Sequence, residues 1–124
     1  MENIHDEIFL GIEKELLSQS EKIVVLKAVE ALAAGKAKYM GSDLSSVASL
    51  MQDEDHYIVF DKTICKGRKQ IFRGDIIMVN KGELLEFLDN AFMGLAVRRY
   101  YIIPADLSLL LYISEEGGAY LFRN

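Results

Sequence analysis

The hydrophobic period of the sequence changes at Asp53, and this change restricts the chain to folds that separate helices from strands. Before Asp53, apolar residues recur every three or four positions, which is typical of amphipathic helices. After it, the apolar runs are short and rich in aromatic and β-branched residues, which is typical of strands. A chain that carries the two patterns one after the other predicts an α+β fold rather than a regular alternation of strands and helices.

The helical part is predicted to cover about residues 2–52. Ile4, Ile8 and Ile12 recur every four residues and give the first helix one apolar stripe. Ser18, followed three residues later by Glu21, forms a capping pair for the next helix, and Ser20 is an alternative N-cap. The helices predicted in this part cover about residues 2–18, 20–39 and 44–52.

The strand-rich part is predicted to cover about residues 56–124. Asn80 and Glu83 form a second capping pair, which begins a helix between the strands. The segment 76–79 is apolar without alternation, which predicts a strand covered on both faces. The predicted elements of this part are strands at 56–60, 76–79, 100–103, 107–113 and 119–122, a hairpin that pairs 63–65 with 70–72, and a helix at 81–97.

These elements predict N-terminal helices packed on a mainly antiparallel sheet, with one further helix inserted between strands. The chain has 124 residues, of which 51% are hydrophobic, so we expect a single domain over 1–124 with a substantial core. One cysteine, Cys65, excludes an internal disulfide framework and suits a reducing compartment. The sequence has no apolar run long enough to cross a bilayer and begins without a signal-peptide pattern, which predicts a cytoplasmic protein and no membrane contact.

Charge is distributed unevenly along the chain. The formal net charge is −5, and residues 1–55 carry eleven acidic and five basic residues. The segment 62–81 is basic, with six basic residues and one acidic residue. A net negative charge disfavours nonspecific binding of nucleic acid or of an anionic membrane. It is explained by solubility alone, and it also fits a protein partner with a basic surface.

The sequence contains no pattern that predicts a cofactor or a metal. His5, His56 and Cys65 are isolated from one another, whereas metal sites need clustered ligands. Cys65 and His56 would form a nucleophile and base if a hairpin brought them together, but a small buried cysteine and a histidine at a strand edge are the better explanation. No nucleotide-binding or serine-hydrolase motif is present. We therefore expect a protein that is not an enzyme.

Two surfaces of the strand-rich part stay open as binding sites. The basic segment 62–73 interleaves cations with Phe72, which suits single-stranded nucleic acid, but lysines on an edge hairpin also discourage aggregation. Aromatic residues crowd the last quarter of the chain, with Tyr112 and Tyr120 on neighbouring strands. The sheet is predicted to be apolar on both faces, so one face either contacts a partner or is covered by helices.

The C-terminal run from Tyr100 to Ser108, followed by Leu-Leu-Leu-Tyr-Ile-Ser-Glu-Glu-Gly-Gly, resembles the ending of many small bacterial immunity proteins. These are cytosolic antidotes to contact-dependent or secreted toxins, and many combine a strand, an Asp-Leu-Ser corner and an acidic hairpin. The resemblance implies an inhibitor that binds a cognate toxin, for example a nuclease, and covers its active site. An acidic antidote would be attracted to the basic surface that a nuclease needs.

The candidate partner-binding residues follow from the acidic clusters and the aromatic strands. They are Asp53, Glu54, Asp55, Asp61, Glu115, Glu116, Tyr112 and Tyr120. Two alternatives to an immunity protein remain open: an adaptor or homo-oligomeric module that uses the aromatic sheet, and a small nucleic-acid binder that uses the basic segment. A homodimer is compatible with each reading.

Overall fold

One antiparallel sheet of six strands lies between two helices in the computed structural model. The structure describes residues 17–41, 53–61, 64–66, 69–71, 73–92, 99–114 and 118–123. The helices are α1 (Gln19–Ala33) and α2 (Lys81–Phe92), and the strands are β1 (Ala37–Gly41), β2 (His56–Phe60), β3 (Ile64–Lys66), β4 (Lys69–Ile71), β5 (Ile76–Val79), β6 (Tyr100–Pro104), β7 (Leu109–Ile113) and β8 (Ala119–Arg123). This architecture confirms the predicted α+β class.

The strands of the sheet lie in the order β1-β8-β7-β6-β2-β5, and every neighbouring pair is antiparallel. Strands β3 and β4 pair with each other as a separate two-stranded ribbon, which confirms the predicted hairpin. The sheet has two ends. The Asp55 end holds the start of β2 and the last residues of β6 and β8; the Asp61 end holds the finish of β2 and the first residues of β6 and β8.

Alternation along the strands divides the core into two layers, one on each face of the sheet. On one face, Val25, Val29 and Leu32 of α1 pack on apolar residues that include Val59 and Leu110. On the other face, the layer is closed by α2, and its buried members are Ile58, Phe60, Ile77, Val79, Leu84, Leu88, Tyr100, Ile102, Leu111, Ile113, Ala119 and Leu121. Each face of the sheet is therefore covered by a helix over part of its width.

Both predicted capping pairs begin helices. The hydroxyl oxygen of Ser18 accepts a hydrogen bond from the amide of Glu21 at 3.4 Å, and Ser18 is the N-cap of α1. Asn80 forms the full reciprocal box: its side-chain oxygen accepts from the Glu83 amide at 2.9 Å, and its own amide donates to the Glu83 carboxylate at 3.0 Å. These bonds satisfy amides that would otherwise lack partners in the first turn of a helix.

Two predicted elements differ from the structure. The helix predicted over 20–39 ends at Ala33, and the chain then forms β1, because pairing with β8 outweighs the helical propensity of the alanines and lysines. The strand predicted over 107–113 begins at Leu109, because Leu107, with a φ of 59°, belongs to the turn after β6. The strand at 76–79 has both faces covered at Ile76, Ile77 and Val79, and Met78 is exposed.

Several predictions extend beyond the described residues. The helix at 44–52 lies outside them entirely. The first predicted helix, 2–18, lies outside them except for Leu17 and Ser18, which precede α1. The helix predicted over 81–97 is described as far as Phe92. Neither of the two described helices is long and apolar enough to cross a membrane.

Candidate protein-binding surface

Four carboxylates come together at the Asp55 end of the sheet. Asp53, Glu54 and Asp55 precede β2, where Asp53 and Asp55 are exposed and Glu54 is partly buried. The backbone amide of Ala105 donates to the carbonyl of Asp55 at 2.9 Å, which brings the exposed Asp106 beside them. We call these residues (Asp53, Glu54, Asp55 and Asp106) the acidic end. Backbone pairing of β2 with β6 therefore joins a predicted cluster to a carboxylate 51 residues later in the sequence.

His56 anchors the acidic end to the core. Its side chain is 1% exposed, and its Nδ1–H donates to the carbonyl of Glu54 at 2.9 Å. Burial lowers the pKa of His56 below its ordinary value, and this effect exceeds the opposing influence of the Glu54 carbonyl and the surrounding carboxylates. A neutral, buried imidazole thus fixes the backbone at Glu54, between the exposed Asp53 and Asp55.

Asp106 is the member of the acidic end that the sequence did not identify. The hydroxyl and the backbone amide of Ser108 hydrogen-bond its carboxylate, the amide at 3.0 Å, and these bonds hold the pKa of Asp106 below its ordinary value. The Asp-Leu-Ser corner is visible in the sequence as a turn signal. Its position beside Asp55 depends on the register between β2 and β6, which no local pattern specifies.

Asp61 is separated from the acidic end, although the sequence placed it near the cluster. It follows β2, six residues after Asp55, so about 20 Å of extended strand lies between them. Its carboxylate accepts from Arg73 Nε at 3.2 Å and from Arg99 Nη2 at 3.5 Å. The charge of Asp61 is therefore already paired, and it is a poor candidate for attracting a basic partner.

Glu115 and Glu116 lie outside the described residues. The residues that flank them, Ser114 and Gly118, lie at the Asp61 end, where Ser114 donates its amide to the Gly118 carbonyl at 2.9 Å. The flanks of this second acidic cluster are thus at the opposite end of the sheet from Asp53 and Asp55.

Four tyrosines occupy one row across four neighbouring strands. The register pairs Tyr39 of β1 with Tyr120 of β8, Tyr120 with Tyr112 of β7, and Tyr112 with Tyr101 of β6. Two pairs of rings are in contact, Tyr39 with Tyr120 at a centroid distance of 5.3 Å and Tyr101 with Tyr112 at 4.7 Å. We call this set (Tyr39, Tyr120, Tyr112 and Tyr101) the tyrosine row; it lies on the face of the sheet that α1 partly covers.

The tyrosine row changes from exposed to half-buried along its length. Tyr39 is 59% exposed at the edge strand, whereas the other three rings are partly buried. At the inner end, the Arg99 guanidinium hydrogen-bonds Tyr112, which raises the pKa of Arg99, and burial raises the pKa of Tyr101. The sequence predicts Tyr112 and Tyr120 as contact residues. It does not indicate Tyr39, which lies within the helix predicted over 20–39.

A groove of about 430 Å³ continues from the inner end of the row. It lies between the second half of α1 and the sheet, and Val29, Ala33, Val59 and Tyr101 form much of its apolar wall. Its polar margin includes Glu30, Asp61 and Arg73. A groove of this size accommodates one or two side chains of a protein partner.

The structure describes His56 with its side chain and Cys65 by its backbone, whereas His5 lies outside the described residues. His56 is in the six-stranded sheet and Cys65 is in the separate β3–β4 ribbon, where the side chains lie outside the described residues. Within the described part of the chain, no group of three or more histidine, cysteine, aspartate or glutamate side chains is arranged to hold a metal ion. In the basic segment, the described side chain, Arg73, is ion-paired with Asp61.

No protein-family model matches the chain, no curated protein is significantly similar to it in sequence, and no solved structure is significantly similar to it in fold. Functional inference therefore depends on the surfaces described above.

Proposed function

We propose that the protein is a non-enzymatic binding module that recognises a basic protein partner through the acidic end. The observation that carries this proposal is the grouping of the exposed Asp53, Asp55 and Asp106 at one end of the sheet, beside a buried histidine. The backbone of Asp55 is fixed by its hydrogen bond to Ala105 and the Asp106 carboxylate by its bonds to Ser108, so less conformational freedom is lost there on binding.

The role of the partner is proposed from charge and resemblance together. An acidic domain that resembles immunity proteins in its last strands suits the task of neutralising a toxin whose active site is basic. A surface of about 800 Å² on each side is enough for a stable complex, and a domain of this size supplies it. We therefore propose a bacterial antidote that covers the basic surface of its toxin, which acts on nucleic acid.

Affinity capture on the immobilised full chain tests this proposal. Wild type is compared with Asp53→Lys/Asp55→Lys and with the control Gln19→Lys/Glu21→Lys/Ala31→Lys, which changes the net charge equally at exposed positions of α1 outside the groove. We expect wild type and the control to retain one basic protein from the producing cells and the acidic-end variant to lose it. That protein should arrest growth when produced alone and should be harmless when this chain is produced with it.

Equal retention by both variants would contradict recognition through the acidic end. Retention of a protein that is not basic, or that is harmless when produced alone, would contradict the antidote function. Circular dichroism spectra of the three proteins verify that each is folded before the capture is compared.

A second candidate function, an adaptor or homo-oligomeric module, is supported by the tyrosine row. Tyrosine is enriched at the energetic centres of protein interfaces because it buries a large ring at low entropic cost. The row ends at the exposed Tyr39 and leads into the groove beside α1, which provides a place for a partner side chain. If this surface carries binding, Tyr39→Ala and Tyr112→Ala should accelerate dissociation, and charge reversal at the acidic end should change little.

A further inference from the structure

Three cations surround a pocket of about 270 Å³ on the face of the sheet opposite the tyrosine row. Lys36, Lys38 and Arg123 line this pocket, and Met40 and Leu121 provide its apolar part. We call it the cationic pocket. Lys38 is paired in register with Leu121, and Met40 packs against the core layer that contains Leu121.

The cations of this pocket repel one another. Lys38 and Lys36 are two residues apart and line the same pocket, and Arg123 lies opposite the start of β1, one residue beyond the pair Ala37 and Phe122. Like charges on facing positions of neighbouring strands destabilise a sheet. Among the described residues, no carboxylate forms an ion pair with any of the three, and none lines the pocket.

Protection of a sheet edge does not account for this arrangement. Lysines on an edge strand discourage pairing with other chains, and β1 is an edge strand. Arg123, however, belongs to β8, which lies between β1 and β7. Arg123 lines the same pocket as the lysines, so the cluster extends inward from the edge.

We propose that the cationic pocket binds a phosphate monoester, with the phosphate between the three cations and an apolar body against Met40 and Leu121. A phosphate monoester carries a charge of about −1.5 to −2 at pH 7, which matches three cations better than a single carboxylate does. The guanidinium fork of Arg123 bonds two phosphate oxygens at once, and the lysines act as point charges. The volume suits a group the size of a phenyl ring with its phosphate.

This site is independent of the proposed function. The two surfaces share no residue but lie toward the same end of the sheet: β6, which Asp106 follows, is two strand spacings, about 10 Å, from β8, and Arg123 is paired with Leu109. Failure of either proposal leaves the other unaffected, because the variants that test them share no residue.

The test is a titration of the isotope-labelled full chain with phenyl phosphate, followed by amide chemical shifts. We expect saturable shifts at Lys36, Lys38, Leu121 and Arg123, with affinity about threefold or more above that for inorganic phosphate because the ring buries apolar surface. Lys38→Glu/Arg123→Glu should weaken binding about tenfold or more. The control Lys27→Glu/Lys81→Glu, which alters the net charge equally outside the pocket, should leave the affinity unchanged.

A parallel titration with a short peptide that contains phosphotyrosine distinguishes the source of the ester. Tighter binding of the peptide than of phenyl phosphate indicates a phosphorylated protein, and equal binding indicates a small molecule. Absence of saturable shifts up to about 20 mM phenyl phosphate, or equal weakening by the pocket variant and the control, would overturn the proposal. Equal affinity for phenyl phosphate and inorganic phosphate would overturn the role of the apolar wall.

Discussion

At the scale of single residues, His56 shows how a core position supports the proposed surface. Its ring is buried, its Nδ1–H bonds the Glu54 carbonyl, and its pKa is lowered by burial. The neighbouring carboxylates can therefore stand in solvent while the backbone beneath them is fixed.

The lowered pKa predicts a pH dependence of stability. The unfolded chain binds the His56 proton more tightly than the folded chain, so the stabilisation is complete above the unfolded value of about 6.5 and is lost as pH falls toward the lower folded-state pKa. Urea denaturation at pH 7.5 and 5.5 should show a decrease in the free energy of unfolding. His56→Asn keeps a donor for the Glu54 carbonyl and should make the loss of unfolding free energy between pH 7.5 and 5.5 smaller. The same loss in this variant as in wild type would contradict the claim that His56 causes it.

Substitution of Asp61 should affect stability rather than association with a partner, unlike substitution at the acidic end. Asp61→Asn removes the carboxylate that Arg73 and Arg99 share, so we expect the free energy of unfolding to fall by about 1 kcal/mol. The association rate with a basic partner should change little, because the charge of Asp61 is already paired. Urea denaturation and stopped-flow association of the same variant measure the two effects; a large loss of association rate with unchanged stability would contradict this account.

The sequence predicts which residues belong to a candidate site better than it predicts which residues they contact. Asp53, Asp55, Tyr112 and Tyr120 were recognisable because clusters of acids and aromatics are local features. The pairing of Asp61 with Arg99 depends on contacts between residues 38 positions apart, which local patterns do not encode. For the same reason, Asp106 was not connected to the acidic end.

At the scale of elements, the starts of the two described helices are the boundaries that the sequence predicts best. Both capping pairs are side-chain and backbone interactions within four residues, so their sequence pattern contains the whole interaction. The end of α1 was harder to place because Ala, Lys and Tyr at 37–39 are compatible with a helix. The strand that they form is stabilised by β8, more than 80 residues later.

The geometry of the two helix caps predicts that they contribute unequally to the free energy of unfolding. Asn80→Ala removes the side-chain half of a short reciprocal box and should lower the free energy of unfolding by about 1 kcal/mol. Ser18→Ala removes one longer bond of 3.4 Å and should cost about half as much. Thermal or urea denaturation of both variants compares them directly; a larger loss for Ser18→Ala would contradict the ranking.

At the scale of the whole molecule, the sheet separates three surfaces of different chemistry. The acidic end lies at one end of the sheet, the tyrosine row on one face, and the cationic pocket on the opposite face, with Arg123 toward the Asp55 end. The fold class was predictable because the hydrophobic period reports burial. The strand order was not predictable from the sequence. It places β1 beside the C-terminal strand β8 and so completes the tyrosine row.

The association rate of the partner identified by capture, measured by stopped flow at about 0.05 M and about 1 M salt, tests the central claim most directly. If the acidic end steers a basic partner, Asp53→Lys/Asp55→Lys should slow association about tenfold at low salt, and the difference from wild type should nearly vanish at high salt, where the Debye length is about 3 Å. The control Gln19→Lys/Glu21→Lys/Ala31→Lys should stay close to wild type. Rates that do not respond to salt, or that fall equally in both variants, would contradict recognition through the acidic end.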